Sequence, residues 1–303
     1  MSSSLREGLK LRRGDDGDLE SVTELLAAEE RALHGESRWT QGDTRDWFHD
    51  LGVDGELWIV EETGRPLAVL GVQFGDAARG WISVDLGSVG RGIGSELRGV
   101  AEERARTRRA AKLWFLADAE NTRAIRALEG AGYCDVRHFY RMEIEFEERP
   151  DEPVWPDGIE CTTFDVKDAR AVHEALDQAL ADDFGHHPLA FERWRQLRLE
   201  STHFDPSLWF IACAPDEIAG VCRCSEHRWG SGWIDALGVR RPWRRRGIGR
   251  ALLQRAFGAL YDRGQRCVGL GVDAQNPSGA TRLYEGAGME VVAERISFEK
   301  VFT

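Results

Sequence analysis

Apolar positions along the 303-residue chain fall into short alternating runs interleaved with runs spaced three and four apart, and the same order of runs occurs twice. Alternation marks a strand with one face in a core, and three-and-four spacing marks a helix with an apolar stripe. In the second half "IECTTFDV" reads as a strand, "DARAVHEALDQALADDF" and "LAFERWRQLRLE" as amphipathic helices, and "SLWFIACA", "IAGVCRC" and "GWIDALGV" as three strands. Then come a helix over "GIGRALLQRAFGALYDRG" with Gly264 as its C-cap, a buried strand "CVGLGVDA", a short helix in "SGATRLYEGAG" and a final strand pair in "MEVVAERISFEKVF". The first half predicts the same order: a strand near Leu9, helices over Leu19–Leu33 and Asp46–Leu51, strands at "ELWIVEE", "PLAVLGVQF" and "WISVDL", then helix, strand, helix, strand.

The likeness extends to residues. Gly92 and Gly247, Gly94 and Gly249, and Asn121 and Asn276 are all 155 positions apart, whereas Trp81 and Trp233 are 152 apart. The chain therefore reads as a tandem duplication whose first copy has lost three residues between its "GWI" and its "GIG". The proline- and acid-rich stretch at 149–158 reads as a linker, which sets the expected domains at 1–148 and 159–303.

Composition narrows the partners. The net charge is −12, and both halves are acidic, which argues against a nucleic-acid or anionic-membrane binder. No apolar run approaches the roughly 20 residues a membrane span needs, the N-terminus lacks the apolar core of a leader, and the six cysteines form no CxxC pair. The expectation is a cytoplasmic protein; its oligomeric state is not legible.

The chemistry centres on Gly247-Ile248-Gly249, which joins the strand "GWIDALGV" to the helix after it. Glycines there admit positive φ and leave room for several backbone N–H groups to converge on one anion at a helix N-terminus. The flanking Arg244 and Arg246 add charge suited to phosphate, so the site should hold a pyrophosphate. Neither a Walker loop nor a GxGxxG fingerprint is present.

"VRRPWRRRGIGRALL", followed by Asn276 and by the Tyr284 of "TRLYEGAG", resembles the acyl-CoA signature of the GNAT N-acetyltransferases, strongly in the second half and weakly in the first. The resemblance implies an α/β (α+β) fold of two tandem domains, each a mixed, strongly twisted sheet flanked by helices. It implies acetyl-CoA as co-substrate, with its pantetheine arm and thioester on backbone amides near Leu237 and Val239. The cofactor set is then Leu237, Val239, Arg244, Arg245, Arg246, Gly247, Ile248, Gly249, Arg250 and Asn276. Tyr284 matches the family's general acid for the departing thiolate, and Asp235, a lone carboxylate in "WIDALGV", is the expected base. His186 and His187 lie where acceptor loops sit in this family; with Asp182 and Asp183 beside them but no HExxH or Cys/His spacing, no metal is expected.

In the first copy Asp235 becomes Ser83, Arg244 becomes Val89 and Tyr284 becomes Leu128, so that copy is expected to be catalytically silent; Gly92, Gly94 and Asn121 remain. The expected activity is acetyl transfer to the primary amine of a small, preferably cationic molecule. The alternatives are a protein or peptide acetyltransferase and a non-catalytic acyl-CoA-binding module.

Overall fold

In the computed structural model, which describes residues 8–52, 55–75 and 77–302, the chain forms two compact units. Unit 1 is built from residues up to His138 together with Glu294–Thr303, and unit 2 from Phe139–Ala293. The reading of the first residues as leader-free falls largely on positions outside the described ones.

Unit 1 runs β1 (Leu9–Arg13), α1 (Leu19–His34), α2 (Gln41–Leu51), β2 (Glu56–Glu62), β3 (Arg65–Gln73), β4 (Ala78–Val84), α3 (Ile93–Thr107), β5 (Lys112–Asp118) and α4 (Thr122–Glu129). Its strands are ordered β1-β2-β3-β4-β5, antiparallel except for β4 and β5. Alternation along β2 sends Ile59 to the face covered by α1 and α2, with Val22 and Leu26, and Val60 to the face covered by α3, with Ile93 and Leu97. The expected second helix starts five residues earlier than its apolar pattern, because Thr40 and Asp43 cap each other's backbone amides in a capping box.

Unit 2 repeats the plan with β7 (Glu160–Thr163), α5 (Ala169–Leu180), α6 (Phe191–Leu199), β8 (Trp209–Cys213), β9 (Ile218–Arg228), β10 (Ser231–Val239), α7 (Ile248–Asp262), β11 (Cys267–Asp273) and α8 (Ala280–Glu285). Here too the ladder is antiparallel except between β10 and β11. Trp209 and Ile211 of β8 face Val172 and Trp194, while Phe210 and Ala212 face Leu252 and Phe257. Helix α5 ends at Leu180, short of the expected Phe184, and the residues after it form an irregular crossing segment.

The last strand of each copy departs from the expected division. The expected final strand pair is one strand, β12 (Glu290–Val301), and its Arg295–Val301 pairs antiparallel with Asp118–Lys112 of β5, in unit 1. Conversely, β6 (Cys134–Glu145), which closes the first copy in sequence, sends Phe139–Glu145 to pair with Asp273–Cys267 of β11, in unit 2. The copies have exchanged their final strands, so a cut at 149–158 divides the sequence but not the space. The exchange is equivalent in detail: Arg295 of β12 lies 5.2 Å from the Trp81 ring, and Arg141 of β6 lies 5.5 Å from the ring of Trp233, its repeat counterpart.

Candidate active site

In unit 2, β10 and β11 pair in parallel from Gly232–Ile234 against Val268–Leu270, yet β10 continues to Val239 and β11 to Asp273. Beyond Ile234 the two strands share no ladder, so alternate backbone groups of Asp235–Val239 face a notch. A register shift against β9 between Ile234 and Ala236 places a β-bulge at Asp235, a device that bends a strand and re-aims a side chain. Leu237 and Val239, expected along the pantetheine arm, lie on this parted stretch.

The strand leads through a 3₁₀ turn at Arg241–Trp243 into the glycine turn. Arg245 at φ +63° and Gly247 at φ +87° are both left-handed, and the first hydrogen bond of α7 runs from Ala251 N–H to Gly247 O. The amides of Ile248, Gly249 and Arg250 therefore have no intrahelical acceptor, and the turn and the helix dipole favour an anion there. Gly249 fits where a Cβ would come within 3.2 Å of Leu283, so the helix start lies close to α8. Arg245, Arg246 and Arg250 are exposed, and none has an ionic partner among the described residues; Arg246 lies over Trp243 at 4.8 Å.

Arg244 is placed differently from the expectation. Its Nε donates to Val239 O at 3.0 Å, its Nη2 to Ala179 O at 2.9 Å and its Nη1 to Asp182 at 3.0 Å. The side chain bolts the end of β10 to the C-terminus of α5, with all three of its nitrogens engaged there. Gly238 serves the same contact, since a Cβ there would lie 2.8 Å from the Ala179 Cβ.

Tyr284 on α8 is buried beside Met289 and Leu252, and its burial, with Cys222 and Asp183 nearby, pushes the phenol well above its ordinary range. It therefore holds its proton at neutral pH, as a donor to a leaving group must. Asp235 has both oxygens taken: Ser225 Oγ donates to Oδ2 at 2.5 Å and Arg228 Nη1 to Oδ1 at 2.6 Å. That ion pair pins the bulge. Asn276 is likewise engaged: its Oδ1 accepts from Ser278 N–H at 2.8 Å, and its Nδ2 donates to Asp183 Oδ1 at 3.0 Å.

Sequence reasoning passed over Asp183 as more than part of a metal candidate. Burial raises its carboxyl, with Asp273 adding repulsion, against opposing contributions from Asn276, His186 and Arg244. The only signal was the "DDFGHH" run itself. His186 is turned to Asp177 at 2.9 Å. Among the described residues no three His, Cys, Asp or Glu side chains are grouped to hold a metal ion.

Unit 1 keeps the frame but carries different side chains on it. β4 and β5 also part, after Gly80 and Phe115, but the β3–β4 register is unbroken from Ala68–Val84 to Gln73–Arg79, so there is no bulge at Ser83. Gly90 and Gly92 are both left-handed at φ +86°. Arg91, the charge within that turn, is bound to Glu62 at 2.6 Å, while Leu86 and Val89 lie exposed where unit 2 has Arg241 and Arg244. Leu128 is core. Asn121 still donates to a half-buried carboxyl, Glu29, at 3.1 Å.

The chain matches the family described as "Acetyltransferase (GNAT) family" twice, over residues 19–133 and 170–289. It is 34% identical over 231 residues to the mycothiol acetyltransferase of Kineococcus radiotolerans, covering 74% of this chain and 73% of that one. It is 28% identical over 245 residues to the protein of the same name from Thermobispora bispora, covering 78% and 81%. Among solved structures, a GCN5-related N-acetyltransferase from Sphaerobacter thermophilus aligns over 98% of this chain and 96% of its own at TM-score 0.81 and 34% identity. A tandem GNAT protein from the clavulanic acid biosynthesis pathway, 17% identical, shares the fold at TM-score 0.76 over 97% of this chain and 98% of its own.

Proposed function

The chain belongs to the GNAT family of acetyl-CoA-dependent N-acetyltransferases, and from that premise we propose that unit 2 transfers the acetyl group to the primary amine of a small molecule while unit 1 is catalytically silent. The observation that carries the proposal is a contrast within one chain. Unit 2 sets three uncompensated arginines around free helix-start amides, beside a bulged, parted strand and a buried tyrosine. Unit 1 has the same frame with its turn arginine neutralised and its tyrosine replaced by Leu128.

Acetyl-CoA supplies an activated thioester, so the protein's part is placement and proton management. The amides of Ile248, Gly249 and Arg250, with Arg245, Arg246 and Arg250, hold the pyrophosphate; the parted edge at Leu237 and Val239 offers strand-like bonds to the pantetheine arm. Tyr284 gives its proton to the departing sulfur. Asp235, ion-paired to Arg228, keeps the bulge in place and contributes negative field. A small acceptor is favoured because the curated relatives are named for acetylating mycothiol, and an acidic chain at −12 favours a cationic one.

The test is release of free thiol from acetyl-CoA with a panel of primary amines. Reversing Arg245 and Arg246 to Glu is expected to raise KM for acetyl-CoA at least about tenfold, the effect of losing a few charge-assisted contacts. Reversing Arg91 in unit 1 is expected to leave that KM unchanged. Equal sensitivity of the two units would remove the assignment to unit 2.

A further inference from the structure

An amine acceptor reaches neutral solution as an ammonium, whose nitrogen has no lone pair to attack with. The expected base, Asp235, has an oxygen on Arg228 and the other on Ser225. The tyrosine is protonated and serves the sulfur. Something else must take the ammonium proton, and it must lie beside the reacting atoms.

The geometry points to Asp183 as the group that accepts the proton of the acceptor's ammonium in unit 2. This rests on the transfer reading above and completes its proton ledger. Asp183 sits three residues past the end of α5, in the segment that crosses to α6. Three ties fix the segment. Asp182 is bound by Arg241 and by Arg244, the latter also holding Val239 and Ala179. Phe184 packs against Phe139 of β6, with ring centroids 6.3 Å apart. Asp183 itself takes the Asn276 amide on Oδ1, leaving Oδ2 with no hydrogen-bond donor among the described residues.

The charged and polar groups facing it act in both directions, and burial prevails. Asp273, at the end of β11, repels an added negative charge, whereas Asn276, His186 and Arg244 favour one; Asn276, which donates to Asp183 at 3.0 Å, opens the turn that Gly279 closes onto its carbonyl and that leads into α8 and Tyr284. Burial lifts the Asp183 carboxyl, the direction that makes it a better proton acceptor than a solvated aspartate. In the step, R–NH₃⁺ gives one proton to the Asp183 carboxylate, and the amine lone pair then forms the C–N bond to the thioester carbonyl carbon as the C–S bond breaks. The sulfur takes the Tyr284 proton, the new amide nitrogen loses its second proton to restore the phenol, and Asp183 returns its proton to solvent. Amide, CoA thiol and one released proton balance the reaction.

The internal repeat supplies a control. Asn121 makes the corresponding bond to Glu29 in unit 1, but Leu128 stands where the acid would be, so a proton acceptor there has no partner. Thiol release is measured with wild type and with Asp183→Asn, Asp183→Glu, Tyr284→Phe and Glu29→Gln, using hexylamine, cadaverine and glucosamine from pH 6 to 10. Asp183→Asn is expected to lose about 10²-fold in kcat/KM at neutral pH, the usual worth of a general base. The loss should shrink as pH rises and the free amine accumulates, with Asp183→Glu intermediate and Glu29→Gln unchanged. A pH-independent loss, or none, overturns the role of Asp183 while Tyr284→Phe still reports on transfer. Absence of thiol release from wild type with every amine overturns the transfer reading and this inference together.

Discussion

Tyr284→Phe removes one oxygen and leaves the packing with Met289 and Leu252 intact, so its effect isolates the proton. We expect turnover to fall by about 10²-fold or more with acetyl-CoA affinity little changed. Full activity in that variant would displace the tyrosine from the mechanism. A second residue-scale prediction concerns acid stability. Glu56 on β2 is 2% exposed and meets Arg104 at 2.7 Å and Arg13 at 2.9 Å. Burial alone would raise its carboxyl, but the Arg104 bond prevails and holds it at about 2 against an ordinary 4.5. A carboxyl lowered on folding stabilises the native state fully above 4.5, and that contribution is lost as pH falls through about 2. Thermal unfolding midpoints of wild type should therefore drop more steeply over that window than those of Glu56→Gln, and parallel curves would contradict the pairing. Tyr284 was singled out by its resemblance to the family motif, and its burial on α8 could be anticipated from the apolar spacing of "TRLYEGAG". Arg244 and Asp183 were read differently from where the structure puts them, because a side chain's direction is decided by what lies opposite, here α5 and Asn276, and spacing along the chain does not carry that.

At the scale of elements, the four arginines that look alike in "RRRGIGR" divide into two kinds. Arg244 joins β10 to α5, whereas Arg245, Arg246 and Arg250 ring the turn. Arg244→Ala is therefore expected to lower the thermal midpoint by leaving the Ala179 and Val239 carbonyls without its donors, a cost of about 1–3 kcal/mol. Arg250→Ala should leave the midpoint unchanged and weaken acetyl-CoA binding. If calorimetry found the two variants equally stable, the bolt would be an idle contact. Strand and helix order was largely readable from period alone, since in both units the sheet is covered on both faces and the pattern has little freedom. The start of α2 was misplaced for a local reason. "QGDTRDW" carries few apolar residues, and the Thr40–Asp43 box that opens the helix is a polar signal. The bulge at Asp235 was foreshadowed by the deletion in the first copy, where the register runs unbroken, although the sequence alone could not say which copy was bent.

For the whole molecule, the exchange of β6 and β12 couples the stability of each unit to the other half of the sequence. Met142 on β6 is fully buried among Leu270 and Leu253 of unit 2, and Phe298 on β12 is 1% exposed among Leu113 and Phe115 of unit 1. Met142→Ala, a change in the first half, is expected to destabilise unit 2 by about 2–5 kcal/mol and to reduce transfer in step. Residues 159–303 alone should fail to unfold cooperatively, whereas residues 134–303 should regain unit 2 signals by calorimetry. Cooperative unfolding of 159–303 with full activity would show that β6 is dispensable. The duplication was plain in the sequence, but the exchange was not, because a strand's alternation is satisfied equally well by either of two homologous sheets. The two family matches end at 133 and 289, just before the strands that change places.

The same exchange imposes an order on synthesis. Unit 2 receives its β6 early, since that strand precedes everything else in the unit, and it can close as soon as α8 has left the ribosome. Unit 1, though made first, has β5 without its β12 neighbour until Arg295–Val301 emerge, after all of unit 2. The half that is translated first is thus the half that finishes last, with an open strand edge throughout elongation.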